Sequence, residues 1–210
     1  MGALNGSMST TQLFVRGELP KNLRRSFMER ILLRKFKPLE PEEEAEERAG
    51  WCALGQPFDL DLSPDKVFNG PYLTLGLRVD RFRFPARVVQ AELAKLSGAA
   101  RQKSGSEQLS RAQKTELKRK VIASLRRRYF PNMQAVDLVW NLDAGEAFFW
   151  SQSPGLIERL SALFELCFAL TLVENSPFVA AERCLPERKR STLDRLERTL
   201  FHAEAANGSG

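Results

Sequence analysis

The chain has 210 residues, 32 Lys and Arg against 26 Asp and Glu, one His, three Cys and a net charge of +6. One His removes every chemistry that needs two, such as His-pair zinc sites and HExxH metalloproteases; Cys52, Cys167 and Cys184 form no CxxC and no even disulfide framework, so a reducing, intracellular protein is expected. No apolar run approaches the ~18 residues of a membrane span, because Glu158, Arg159 and Glu165 interrupt Leu156 to Val173, and the polar start of the chain has no secretory h-region.

In chain order, residues 12–16 (QLFVR) read as a first strand. Residues 17–20 turn into a helix with Leu23, Phe27, Ile31 and Leu32 on one face and Arg24, Arg25, Glu29 and Arg30 on the other. The helix ends by Pro38, and the Glu-rich run after it is a solvated loop or a short helix. Gly50-Trp51-Cys52-Ala53 is a strand or a packed corner. A loop over 59–71, rich in Asp, Pro and Gly, leads into 72–82, where Tyr72, Leu73, Leu75, Leu77 and Val79 give the best β pattern in the chain.

Pro85 starts a helix through Leu96, with Val88, Val89, Leu93 and Leu96 inward. Residues 97–106 (SGAARQKSGS) have the composition of a flexible link. Ser110 N-caps a long helix to about Arg128, whose apolar positions are Leu117, Val121, Ile122 and Leu125. Residues 134–142 and 146–151 form a β-hairpin around Asp143-Ala144-Gly145. Ser153-Pro154 caps a helix that packs Leu156, Ile157, Leu160, Leu163, Phe164 and Cys167 inward. Residues 170–173 are a last strand, and the charge-mixed segment after Pro177 holds one helix over 191–203. This order predicts an α+β fold, a mostly antiparallel sheet with amphipathic helices packed on it and one long basic helix. It divides into a flexible terminus over 1–11, one domain over 12–178, and a charged helix with a flexible tail over 179–210.

The charge is unevenly spread. Arg101, Lys103, Arg111, Lys114, Lys118, Arg119, Lys120, Arg126, Arg127 and Arg128 face only Glu107 and Glu116, a net +8 that leaves the rest of the chain at −2. Against it stands a run of six glutamates between Glu40 and Glu47. Such polarity predicts an anionic partner for the basic segment, nucleic acid first; a solvated face that binds nothing is the plain alternative. Tyr129 and Phe130 follow the triple arginine. Adjacent helical side chains diverge by ~100°, so one of the two is expected outside, where an aromatic stacks on or wedges between bases. Trp51, Trp140 and Trp150 read as core anchors.

Catalytic motifs are scarce. The sequence holds no P-loop, GxGxxG, GxSxG or zinc spacing, and no cofactor is expected. Asp59, Asp61 and Asp65 have the spacing to hold a divalent ion, but Asp beside Pro and Gly is ordinary turn chemistry, so neither a metal site nor a catalytic residue is assigned.

Several segments, in order, resemble the RdgC family of recombination-associated proteins: Gly50-Trp51, Asn69-Gly70 into the strand to Arg78, Pro85 and its helix, Leu117-Lys118-Arg119-Lys120-Val121 with Leu125 and Phe130, Val136 to Trp140 with Gly145, and Leu170 to Pro177. The likeness spans residues 12–178. It implies sequence-independent binding of double-stranded DNA, a ring-shaped dimer with a positively charged hole, and restraint of RecA-type recombinase activity through the DNA. Carried over by position, Lys114 to Arg128 would face the DNA channel and Phe130 would lie near a projecting tip. Members similar to this chain continue into a further C-terminal half with a second dimer contact, which the charged segment 179–210 does not match. The resulting expectation is a non-enzymatic, cytoplasmic, nucleoid-associated protein that binds duplex DNA through Arg101, Lys103, Arg111, Lys114, Lys118, Arg119, Arg126, Arg127, Arg128 and Phe130, as a homodimer or higher clamp-like oligomer. The alternatives are a protein-assembly module in which the basic helix meets the Glu40–Glu47 run of another subunit, and a metal-dependent nuclease using Asp59, Asp61 and Asp65.

Overall fold

The apolar pattern of residues 72–82 becomes a strand that pairs with three others in a seven-stranded sheet. The computed structural model describes residues 2–4, 9–104, 108–190 and 193–195. Its strands are β1 (Thr11–Arg16), β2 (Glu47–Cys52), β3 (Phe68–Asn69), β4 (Tyr72–Arg81), β5 (Asn132–Asn141), β6 (Glu146–Phe149) and β7 (Thr171–Glu174). They lie in the order β2-β4-β5-β6-β1-β7, with β3 beside the start of β4. The pairings of β1 with β6, β2 with β4, β3 with β4, β4 with β5 and β5 with β6 are antiparallel. The fold is α+β, as the element order predicts.

Helices α1 (Leu23–Leu33) and α5 (Pro154–Phe168) pack together and share the core with the apolar face of the sheet. That face is the period-2 set Leu73, Leu75, Leu77 and Val79 of β4 with Val136, Leu138 and Trp140 of β5, all buried. Phe168, at the end of α5, is the hub of an aromatic cluster. Its ring centroid lies 4.8 Å from Phe27, 6.1 Å from Trp51, 5.6 Å from Trp140 and 4.7 Å from Phe164. Two of the three tryptophans, Trp51 and Trp140, are fully buried, whereas Trp150 is half-buried.

The opposite face carries Arg78 and Asp80, a buried pair in which Arg78 Nε donates to Asp80 Oδ1 at 2.9 Å and Nη2 to Oδ2 at 2.7 Å. The Arg78 guanidinium also lies 4.1 Å from the Phe36 ring centre. Phe36 reaches this face because residues 34–36 run along the edge of β2: Phe36 N–H donates to Trp51 O at 2.8 Å and Trp51 N–H to Arg34 O at 3.0 Å. Gly50 permits that approach, since a Cβ there would stand 2.5 Å from Phe36 Cα.

Several expectations change. Residues 97–104 are helical, not a flexible link: α3 runs Ala86–Ser104, because Ala99, Ala100, Arg101, Gln102 and Lys103 are strong helix formers and outweigh one Gly; Gly105 and Ser106 lie outside the described residues. The loop 59–71 contains a turn of helix, α2 (Pro64–Val67), as well as β3. Leu32 faces outward, 50% exposed, because Phe27 and Ile31, four apart, take the core-facing positions and Leu32 is rotated ~100° from them. Ala3 N–H donates to Asp137 Oδ2 at 2.7 Å, pinning the start of the segment expected to be flexible.

Contacts divide the chain into units of residues 1–173 and 174–210, a boundary a few residues before the expected one. The second unit holds α6 (Pro177–Cys184), capped by Ser176 Oγ accepting from Val179 N–H at 3.2 Å, then α7 (Glu187–Arg190) and a 3₁₀ turn, Leu193–Arg195. The helix expected over 191–203 and the sole His, His202, fall largely outside the described residues.

Arg159 of α5 clasps Glu47 of β2 through both oxygens, with Nη2 donating to Oε2 at 2.8 Å, and this holds the Glu47 carboxyl below its ordinary value. A carboxyl lowered by folding stabilises the fold in full above the ordinary Glu value of 4.5 and loses that contribution as pH falls through its folded value. In urea titrations Glu47→Gln should therefore be less stable than wild type at neutral pH, with the gap closing in acid. Phe168→Ala should cost about 3–5 kcal/mol in the same assay at neutral pH.

Candidate nucleic-acid interface

Strands β4 and β5 are neighbours paired along their whole length, from Tyr72↔Asn141 to Arg81↔Asn132. Residues 82–131 between them form a helical hairpin of α3 and α4 (Arg111–Arg126). These helices pack on each other, and no residue of α3 is fully buried among those described. At ~1.5 Å per residue, α4's 16 residues span about 24 Å. The start of α4 is fixed by a capping box: Ser110 Oγ accepts from Gln113 N–H at 3.2 Å, and Gln113 Oε1 accepts from Ser110 N–H at 2.8 Å.

The hairpin sorts the basic residues by what each one meets. Arg111, Lys114 and Lys118 are exposed, lack an ion pair among the described residues, and fall at i, i+3 and i+7, which is one stripe of α4. Arg119 and Lys120 share one carboxylate, Glu116, at 3.0 and 3.8 Å. The cations nearest the sheet have partners: Arg127 pairs with Glu42 at 3.5 Å and Arg128 with Glu92 at 3.1 Å. Arg101 is exposed on α3, and Lys103 lies in its last turn with a side chain outside the described residues.

Arg126 is a correction. It is only 6% exposed; its guanidinium donates to the carbonyls of Glu43 and Glu44, the latter at 3.1 Å, and lies 5.3 Å from the Phe82 ring centre. It holds the acidic loop and is not available to a phosphate. The two charge poles of the sequence therefore meet inside one chain, where the sequence reading had weighed only contact between subunits. The signal was present, a Glu run beside a basic helix, but periodicity does not report which segments touch.

Phe130 is 95% exposed, while Tyr129 is 40% exposed and packs edge-on against Phe84 at 5.9 Å. Both therefore remain exposed, Phe130 almost fully, and neither lies within α4, which ends at Arg126. Phe130 does not sit at a projecting tip, however. It lies between the end of α4 at Arg126 and the start of β5 at Asn132, at the root of the hairpin. Arg87 and Lys95, beyond the expected set, are also exposed on α3 without an ion pair among the described residues; they are legible as the non-apolar positions of the 85–96 periodicity.

The other candidate chemistries are occupied by local contacts. Lys66 Nζ donates to Asp59 Oδ2 at 2.8 Å and to Asp61 Oδ2 at 3.0 Å. An ammonium thus stands where a divalent ion would, and it holds the Asp59 carboxyl below its usual range. Asp65, beside Ser63 at the start of α2, is lowered by that hydroxyl. Burial pushes the Cys52 thiol up to about 12 and Cys167 to about 11, so both stay protonated at neutral pH. A cavity of about 450 Å³ on the second face of the sheet is lined by Asp137, whose two oxygens already accept from Ala3 and Gly55 N–H.

No protein-family model matches the chain, and no curated protein matches it. The RdgC resemblance rests on the ordered motifs alone.

Arg126→Gln should lose about 1–3 kcal/mol in chemical denaturation and speed cleavage of residues 40–46 by a glutamate-specific protease. Arg127→Gln, which loses only an exposed pair, should stay within about 0.5 kcal/mol of wild type.

Proposed function

We propose that the chain binds double-stranded DNA without regard to sequence, laying the exposed stripe of α4 along the phosphate backbone. The observation that carries this reading is the stripe itself: Arg111, Lys114 and Lys118 stand exposed, without an ion pair among the described residues, on a helix that packs on α3. Such cations gain from the dense charge of a duplex by releasing its counterions, and they read no base. Arg87 and Lys95 extend the set along α3, and Arg119 and Lys120 contribute what Glu116 leaves uncompensated. Phe130 at the root supplies an apolar ring to stack on or wedge against a base step. By its likeness to RdgC proteins the chain would act as a clamp-like homo-oligomer and reach a RecA-type recombinase through the DNA they share.

The acidic loop disfavours the assembly alternative, because its Glu42 side chain and Glu43 and Glu44 carbonyls already engage α4 of the same chain.

Fluorescence anisotropy with random-sequence duplexes tests the proposal. Neutralising about three to five phosphates gives a slope of log K against log salt of about −3 to −4.5. Arg111→Ala/Lys114→Ala/Lys118→Ala should weaken all duplexes alike and flatten that slope by about 2.7. Phe130→Ser should lower affinity by about tenfold while leaving the slope unchanged, since it meets no phosphate. Salt-insensitive binding, or a triple variant that binds as wild type does, would overturn the reading.

A further inference from the structure

A second surface stands apart from the hairpin. Leu33, in the last turn of α1, is 75% exposed, and Leu166 of α5 is 65% exposed. Because α1 and α5 pack together, the two leucines line one open groove of about 420 Å³, floored by Leu163 and flanked by Ala49 of β2. Apolar residues scattered singly over a surface are ordinary, whereas these two share one cavity.

The rim is entirely cationic. Arg34, Lys35 and Lys37 line the groove, are exposed and have no ion pair among the described residues. Arg48 and Arg159 also line it but are engaged by Glu43 and Glu47. No carboxylate is among the lining residues. The rim is held in place as well: the backbone of residues 34–36 bridges to both sides of Trp51, so its cations start from a fixed strap and not from a loose loop.

We propose that this groove docks a short acidic peptide segment of another protein, whose two or three apolar side chains cover Leu33 and Leu166 while its flanking Asp and Glu meet Arg34, Lys35 and Lys37. Charge decides among occupants. A second copy related by a two-fold axis would bring this rim against itself, like charge to like. A duplex would satisfy the cations but has nothing in its backbone to bury against two leucines. An acidic segment with apolar anchors satisfies both halves of the surface. The inference does not depend on DNA binding by α4.

The test is selection of short random peptides displayed on phage against the immobilised full chain, followed by anisotropy titration of the enriched sequences. Enrichment of Asp and Glu interleaved with Leu, Ile, Phe or Trp is expected. Affinity for those peptides should fall by about tenfold or more in Leu33→Ser/Leu166→Ser and in Arg34→Glu/Lys35→Glu, with duplex affinity of the leucine variant within about twofold of wild type. Since both leucines are exposed, that variant keeps its core. No acidic-apolar enrichment, or peptides that bind both variants as they bind wild type, overturns the proposal. So does a dimer in light scattering that the leucine variant abolishes, which assigns the groove to a second copy. Flotation with phosphatidylserine vesicles that the same variant abolishes also overturns it and assigns a membrane surface instead.

Discussion

Strand β4 and strand β5 are paired residue for residue until Arg81↔Asn132, and that ladder sets the terms for the rest of the molecule. Directly opposite residues of an antiparallel pair stand only about 4.5–5.5 Å apart. Whatever lies between Arg81 and Asn132 must leave the sheet and return to almost the same point. Two helices side by side do this, since their axes, about 8–10 Å apart, open only slightly wider than the strands that feed them. The hairpin therefore buries a seam instead of a face. Val121 and Leu125 of α4 are buried, and the α3 positions opposite reach only half-burial. Most of its surface stays in water, which is where ten basic residues in one segment can be tolerated.

Where the hairpin meets the sheet, the same charge would be a liability. Arg126, Arg127 and Arg128 are consecutive, and close to the sheet each must find either water or a partner. The acidic loop resolves this: Glu43 and Glu44 present backbone carbonyls to the buried guanidinium, and Glu42 pairs with its neighbour. Using carbonyls rather than carboxylates for Arg126 spares the desolvation of a second full charge. As a result the +8 of the sequence overstates what an anion would meet. The effective cations lie toward the N-terminal half of α4, away from the triple arginine that stands out in the sequence.

Sequence periodicity read the elements well because their apolar spacing answers directly to the core: β4, β5, β6 and α5 lie close to their expected positions. It failed where contact, not spacing, decides. Residues 97–106 look like a linker by their Gly and Ser, but Ala99 to Lys103 between them favour a helix, and α3 as a whole has α4 to pack on. Leu32 fits an amphipathic stripe, yet the core admits only Phe27 and Ile31 fully. The candidate site was half legible: Arg111, Lys114, Lys118 and Phe130 are exposed as a binding surface requires. Arg126 was misplaced because local spacing does not reveal its partner, which lies 83 residues away.

The acidic segment after Pro38 links the two surfaces. Arg48, on the rim of the leucine groove, donates to Pro38 O at 2.9 Å and pairs with the Glu43 carboxylate. The carbonyl of that same Glu43 accepts from Arg126 at the root of the hairpin. One residue thus pairs with a rim cation through its side chain and holds the DNA-proposed helix through its backbone. A ligand that drew Arg48 away would free the Glu43 side chain but leave its carbonyl anchored, because Glu44 O holds the same guanidinium. Coupling between distant sites requires an element with two arrangements that both ligands bias. Here the double anchor on Arg126 gives the acidic segment no second arrangement, so a ligand on one proposed surface is expected to leave the other unchanged.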